Sequence, residues 1–117
     1  MQSAAFFDLE IQPNGQPVAH GKWTNFGYGG GFVLARFNTH GTLDTTFGGT
    51  GFINPIVSGE VIPTSAMALQ TEDEDELTGA CPIVVGFSGP GPGLNGGTVE
   101  GIWLQRYDTE GNLDLSF

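Results

Sequence analysis

Basic side chains are scarce in this chain, and two of the three share one setting. Lys22, Arg36 and Arg106 are the only Lys or Arg residues among 117. Asp44 follows Arg36 by eight positions, and Asp114 follows Arg106 by the same eight. A guanidinium and a carboxylate at a recurring spacing can form a charge-assisted hydrogen bond. A group that recurs in every unit serves the unit, so each Arg is expected to bond the Asp or the turn carbonyls of its own unit. Asp108, Glu110 and Asp114 gather around Gly111, as Asn38 and Asp44 do around Gly41. Oxygen-rich loops of this kind can hold calcium. The full DxDxDG pattern and the distal bidentate Glu are missing, however, and turn chemistry alone accounts for Asn and Asp there. Calcium is the one candidate cofactor, with Asp108, Glu110 and Asp114 as its candidate ligands.

The other reactive types form no catalytic pattern. His20 and His40 are isolated, and neither HExxH nor GxSxG occurs. His40 gives way to Glu110 in the second unit, which reads as an exposed turn tip. Cys81 is the only cysteine, which excludes an internal disulfide. Beside Pro82, and without a basic neighbour, it reads as a half-buried, inert thiol. The glycine run at 27–31 precedes a strand and lacks an adjacent Lys, Ser or Thr, so it does not read as a phosphate cradle. Trp23, Tyr28 and Trp103 could stack on a sugar ring; Trp23 and Tyr28, beside the glycine loop, are the candidate binding residues, whereas Trp103 reads as core. The acids at 72–76 repel one another and read as a solvated, mobile loop that could bind divalent cations weakly. No catalytic residue is expected, and the chain reads as a non-enzyme.

Composition narrows the partners. The net charge is −10, from three basic and 13 acidic residues. A phosphate backbone or an anionic membrane would be repelled, so neither is an expected partner. The N-terminal segment MQSAAFFDLEIQ has no basic stretch and no long apolar run, so it does not read as a signal peptide.

The elements that must position these residues come from a repeat. Residues 32–47, FVLARFNTHGTLDTTF, return at 102–117 as IWLQRYDTEGNLDLSF, an ungapped offset of 70. Leu34, Arg36, Thr39, Gly41, Leu43, Asp44 and Phe47 recur as Leu104, Arg106, Thr109, Gly111, Leu113, Asp114 and Phe117. Arg36, Gly41, Asp44, Phe47 and their counterparts are the structural repeat positions. Each copy opens on a strand, 32–37 or 101–107, apolar on both faces and therefore expected to be covered on both sides. A turn with Asn or Asp first and Gly fourth follows. Leu43 and Phe47 then anchor a short irregular segment on the core.

Upstream, strands are expected at 6–12 and 17–23, with a turn at 13–15 and a flexible loop at 25–31. A fourth strand at 52–57 is interrupted by Pro55 and so reads as an edge. The series restarts at 65–70 and 83–88, with a loop at 89–97. The offset between units grows from 58 at Ile11/Leu69 to 70 at Arg36/Arg106, which assigns 12 extra residues to the first hairpin turn and the loop after it. The domains are therefore 1–60 and 61–117. With 20 Gly, about 17% against a usual ~7%, the fold class is all-β and turn-rich.

The runs IQPNGQPVAHG (11–21) and FVLARFNTHGTLDTTFGGTG (32–51) resemble the bacterial delta-60 repeat. The resemblance implies two propeller-like antiparallel blades within a larger array. It implies a structural or ligand-binding module, without catalysis, of a longer secreted or cell-surface protein. Its partners would be further repeats or a second copy of itself, and a glycan or protein ligand. Two other readings stand beside it. One is a calcium-assisted adhesion module; the other is part of a propeller enzyme completed by further blades.

Overall fold

Two antiparallel hairpin series build the molecule, one from each repeat. The structure, a computed structural model, describes residues 2–25, 29–53, 64–92 and 98–117. The first unit comprises β1 (Gln2–Ile11), β2 (Pro17–Asn25), β3 (Gly29–Arg36) and β4 (Phe52–Ile53), an antiparallel sheet in chain order. The second comprises β5 (Thr64–Leu69), β6 (Ile83–Pro92) and β7 (Thr98–Tyr107), again in chain order. A single 3-10 turn, Thr71–Asp73, is the one helical element among the described residues. The fold is all-β, with two antiparallel sheets.

The registers reproduce the repeat. Ile11 pairs with Pro17 as Leu69 pairs with Ile83, and Val18 pairs with Arg36 as Val84 pairs with Arg106. The offset is thus 58 on the first strand, 66 on the second and 70 on the third. Eight of the extra residues lie in the first turn, and four lie in the second hairpin. The boundary expected near residue 60 falls at 54–63, outside the described residues, as does the expected strand beyond Ile53.

The described parts of two expected loops are strand. Gly29, Gly30 and Gly31 pair with Asn25, Thr24 and Trp23, and Gly89 to Pro92 pair with Gly101 to Thr98. Glycine weakens a strand interior through backbone entropy. Here the register set by the apolar pairs lower in each hairpin extends outward through it. Elsewhere a glycine is required for space. Phe7 is an extra residue in a bulge between Phe6 and Asp8, and Gly21 faces that bulge. A Cβ on Gly21 would overlap the Ala5 carbonyl.

Cross-strand pairing sorts each sheet into two faces. In the first unit Val18, His20, Leu34, Arg36 and Ile53 share one face; Leu9, Ala19, Ala35 and Phe52 share the other. In the second unit Met67, Leu69, Ile83, Val85 and Tyr107 share one face; Ala66, Ala68, Val84, Leu104 and Arg106 share the other. The core joins the first-listed face of each sheet. Val18, Leu34, Phe47, Met67, Ile83, Val85 and Tyr107 form one buried cluster, with Ile53 and Leu69 packed against it. Neither sheet could bury such a face alone, so this shared core is the main force holding the units together.

Candidate functional site

The seam between the units is organised by the turn that follows each third strand. In the first unit the Gly41 N–H donates to the Asn38 carbonyl (2.9 Å) and the Asp44 N–H to the Arg36 carbonyl (2.9 Å). In the second, the Gly111 N–H donates to Asp108 (3.1 Å) and the Asp114 N–H to Arg106 (2.8 Å). Gly41 and Gly111 have φ of +100° and +90°, a conformation that carries a steric penalty for any residue with a Cβ. The chain reversal puts each Asp beside the Arg at the end of its own strand.

Arg36 is 5% exposed and every arm of its guanidinium is used. Nε donates to Asp44 Oδ2 at 2.8 Å and Nη2 to Thr46 Oγ1 at 3.3 Å. Nη1 donates to the Thr109 carbonyl of the second unit at 2.6 Å. The cation lies 4.9 Å from the centre of the buried Phe47 ring. Asp44 also accepts from Gln16 Nε2 (2.8 Å) and, through Oδ1, from the Thr46 N–H (3.1 Å) and hydroxyl (2.6 Å). Burial alone would raise its pKa. The bonds from Thr46 and Gln16 and the charge of Arg36 outweigh that and hold it at about 2.

The network starts and ends on the second unit. Asn14 Nδ2 donates to the Thr78 carbonyl (2.7 Å) and to Gln16 Oε1 (2.8 Å), and Gln16 passes the connection to Asp44 and Arg36. Two backbone bonds flank it: Asn14 N–H to the Gly79 carbonyl (3.2 Å) and Gly48 N–H to the Glu110 carbonyl (2.7 Å). A pocket of about 360 Å³ opens beside it, lined by Gln16, Arg36, Asp44, Thr46, Thr78 and Glu110 among others.

The expected pairing of each Arg with its own Asp is therefore present, whereas the bond from Arg36 across the seam was not foreseen. The repeat shows which residues are equivalent and carries no signal of which unit lies against which. Arg106 repeats the internal half only. Its Nε and Nη2 donate to Asp114 Oδ2 (2.8 and 2.5 Å), and Nη1 turns to Gln70 Oε1 (3.2 Å). Arg106 lies 4.9 Å from the ring centre of Phe117, which is 55% exposed. Hydrogen bonds from the Ser116 hydroxyl and N–H, then from Arg106, hold Asp114 at about 2 as well.

Two of the three candidate calcium ligands, Asp108 and Asp114, have their carboxylates hydrogen-bonded within their own unit. Asp108 accepts from the Glu110 and Asn112 N–H groups (both 2.9 Å) and from Asn112 Nδ2 (3.2 Å). Asp114 faces Arg106 and Ser116. Among the described residues no group of three or more His, Cys, Asp or Glu converges as a metal site would.

Several expectations need correction. Trp23 is 5% exposed, so its ring is packed inside rather than presented to a sugar; Tyr28 and the Trp103 side chain lie outside the described residues. Cys81 is fully buried, and burial pushes its thiol pKa up. Leu43 is 40% exposed and lies outside the buried cluster, so it is Phe47 that anchors the segment in the core. The acidic insert is not a free loop. Its 3-10 turn leads into Asp75, whose N–H donates to the Ala80 carbonyl (2.7 Å), and its far end binds Asn14 and Gln12 of the first unit. Glu72, Asp73, Glu74 and Glu76 remain exposed on it. His20 is fully buried, and neither ring nitrogen has a hydrogen-bond partner among the described residues. Burial lowers its pKa, with the Asp8 carboxylate pulling the other way.

The stretch that holds the node is similar to a β-propeller-like repeat family. Residues 12–47 match the family described as Domain of unknown function (DUF5122) beta-propeller, a span from Gln12 through β2, β3 and Asp44 to Phe47. The comparisons with curated proteins and with solved structures each found no match. No helix among the described residues is long and apolar enough to cross a membrane.

Proposed function

We propose that this chain is a non-catalytic structural or ligand-binding repeat module of a larger extracellular bacterial protein, with units of the delta-60 type. The observation that supports this reading is the use made of Arg36. Its guanidinium ties its own unit through Asp44 and the next unit through the Thr109 carbonyl. A strong buried cation that holds two repeats together serves architecture. The seam pocket, with its hydroxyl, amide and carboxylate lining, is where a small polar ligand such as a sugar would bind.

Thermal melting of Arg36→Ala, alongside a glycan-array screen of the same variant, tests the reading. Losing this buried donor removes the cation beside Asp44, which keeps only its bonds from Gln16 and Thr46, and takes the side-chain donor from the Thr109 carbonyl, at a cost of about 2–3 kcal/mol. A variant that melts as the parent does, yet loses a glycan the parent binds, would assign Arg36 to recognition instead.

A further inference from the structure

The internal seam joins one face of the first unit to one face of the second, and each unit has a copy of the face it does not use. The second unit's open face carries Ala66, Ala68, Val84, Leu104 and Arg106, at the register positions that Val18, Leu34 and Arg36 help to fill in the first unit's buried face. Leu104 is 62% exposed where Leu34 is fully buried, and Phe117 is 55% exposed where Phe47 is fully buried. The first unit's face away from the core carries Leu9 and Ile11 on β1, 57% and 56% exposed, beside Ala19 and Ala35, which are buried. The counterparts of Leu9 and Ile11 at the offset of 58, Met67 and Leu69, pack against the shared core. The turns show the same asymmetry. A Cβ on Gly111 would lie 2.9 Å from the Gly48 nitrogen across the seam, whereas one on Gly41 meets nothing within 4 Å.

We propose that the open face of the second unit docks the first unit of another copy of this chain, head to tail, with turn 38–41 seated against Arg106 and Phe117. This rests on the structural-module reading above and names its partner. A groove of about 200 Å³ between Leu104, Arg106, Leu113, Asp114, Leu115 and Phe117 receives the turn. Arg106 Nη1 leaves Gln70 and donates to the Thr39 carbonyl, the counterpart of Thr109. The two faces differ, so the contact is heterologous, and successive copies form an open array or a ring. The net charge of −10 opposes the meeting of two copies, and added salt therefore strengthens the association.

Sedimentation velocity on the full chain, over a concentration series at low and high salt, tests this. Leu104→Lys blocks the open face of the second unit and Leu9→Lys that of the first; both side chains are exposed, so far-UV circular dichroism should remain that of the parent. The parent should grow beyond a dimer with concentration, more so at high salt, and each variant alone should stay monomeric. An equimolar mixture of the two variants still has one intact face of each kind and should stop at a dimer. A parent that stays monomeric throughout overturns the proposal. So does a dimer that Leu104→Lys abolishes and Leu9→Lys spares, which would mean like faces meeting. Neither result touches the internal seam, which Arg36→Ala tests separately.

Discussion

The segments 32–47 and 102–117 share sequence, backbone turn and ion pair, yet differ in what covers them. Phe47 and Leu34 are fully buried, whereas Phe117 and Leu104 are more than half exposed. The side chain of Arg36 is 6% exposed and that of Arg106 is 23% exposed. Local sequence sets the strand, the turn and the Arg–Asp pair. A neighbouring unit sets whether those groups are buried and what their remaining hydrogen bonds reach. The same motif therefore acts as a seam in one place and as a surface in the other.

Paired substitutions sharpen this contrast. The largest gap is expected at the phenylalanines. Phe47→Ala opens a cavity in the shared core and should cost about 3–5 kcal/mol in denaturant unfolding, whereas Phe117→Ala should cost a small fraction of that. Arg36→Ala comes next at about 2–3 kcal/mol, with a much smaller drop for Arg106→Ala, whose partners remain in reach of water. Equal losses at either pair would break the comparison.

Acid should act in two steps. His20 has a lowered folded pKa, so the unfolded chain takes up its proton first. Stability is present above the ordinary histidine pKa of ~6.5 and is lost as pH falls through it. The Asp8 carboxylate beside it reduces the size of this step. Asp44 has its folded pKa held at about 2, so its contribution is complete above about pH 4 and is lost as pH falls toward 2. With solvent screening this second step is on the order of 1 kcal/mol. Melting temperature against pH should show both, and His20→Leu should remove only the first.

The smallest gap is at the turn glycines. Gly41→Ala and Gly111→Ala both place a Cβ at positive φ, which costs about 1 kcal/mol. Gly111→Ala also crowds Gly48 and Phe47, so it should be the more destabilising of the two in the same melts.

Much of the fold was legible because repeats preserve register. The strand offsets of 58 and 70, the Gly-closed turns and the Arg36–Asp44 and Arg106–Asp114 pairs all follow from aligning the chain with itself. What was not legible depends on neighbours. Arg36 reaches Thr109 because the second unit lies against its face, and periodicity does not order units in space. Trp23 looks available because it stands near a glycine run, but Gly29 to Gly31 pair as strand and Trp23 is buried. The acidic insert looked free because its charges repel, yet its Thr78, Gly79 and Cys81 carbonyls are held by Asn14 and Gln12.

Amide hydrogen exchange at Asn14 and Gly48 tests the docking of the two units most directly, because both N–H groups bond only across the seam, to Gly79 and Glu110. If the units form one cooperative body, these amides should exchange as slowly as those of Val33 to Ala35 inside β3. Exchange at the rate of open turns, with β3 still protected, would show that the sheets fold separately and that the seam does not hold.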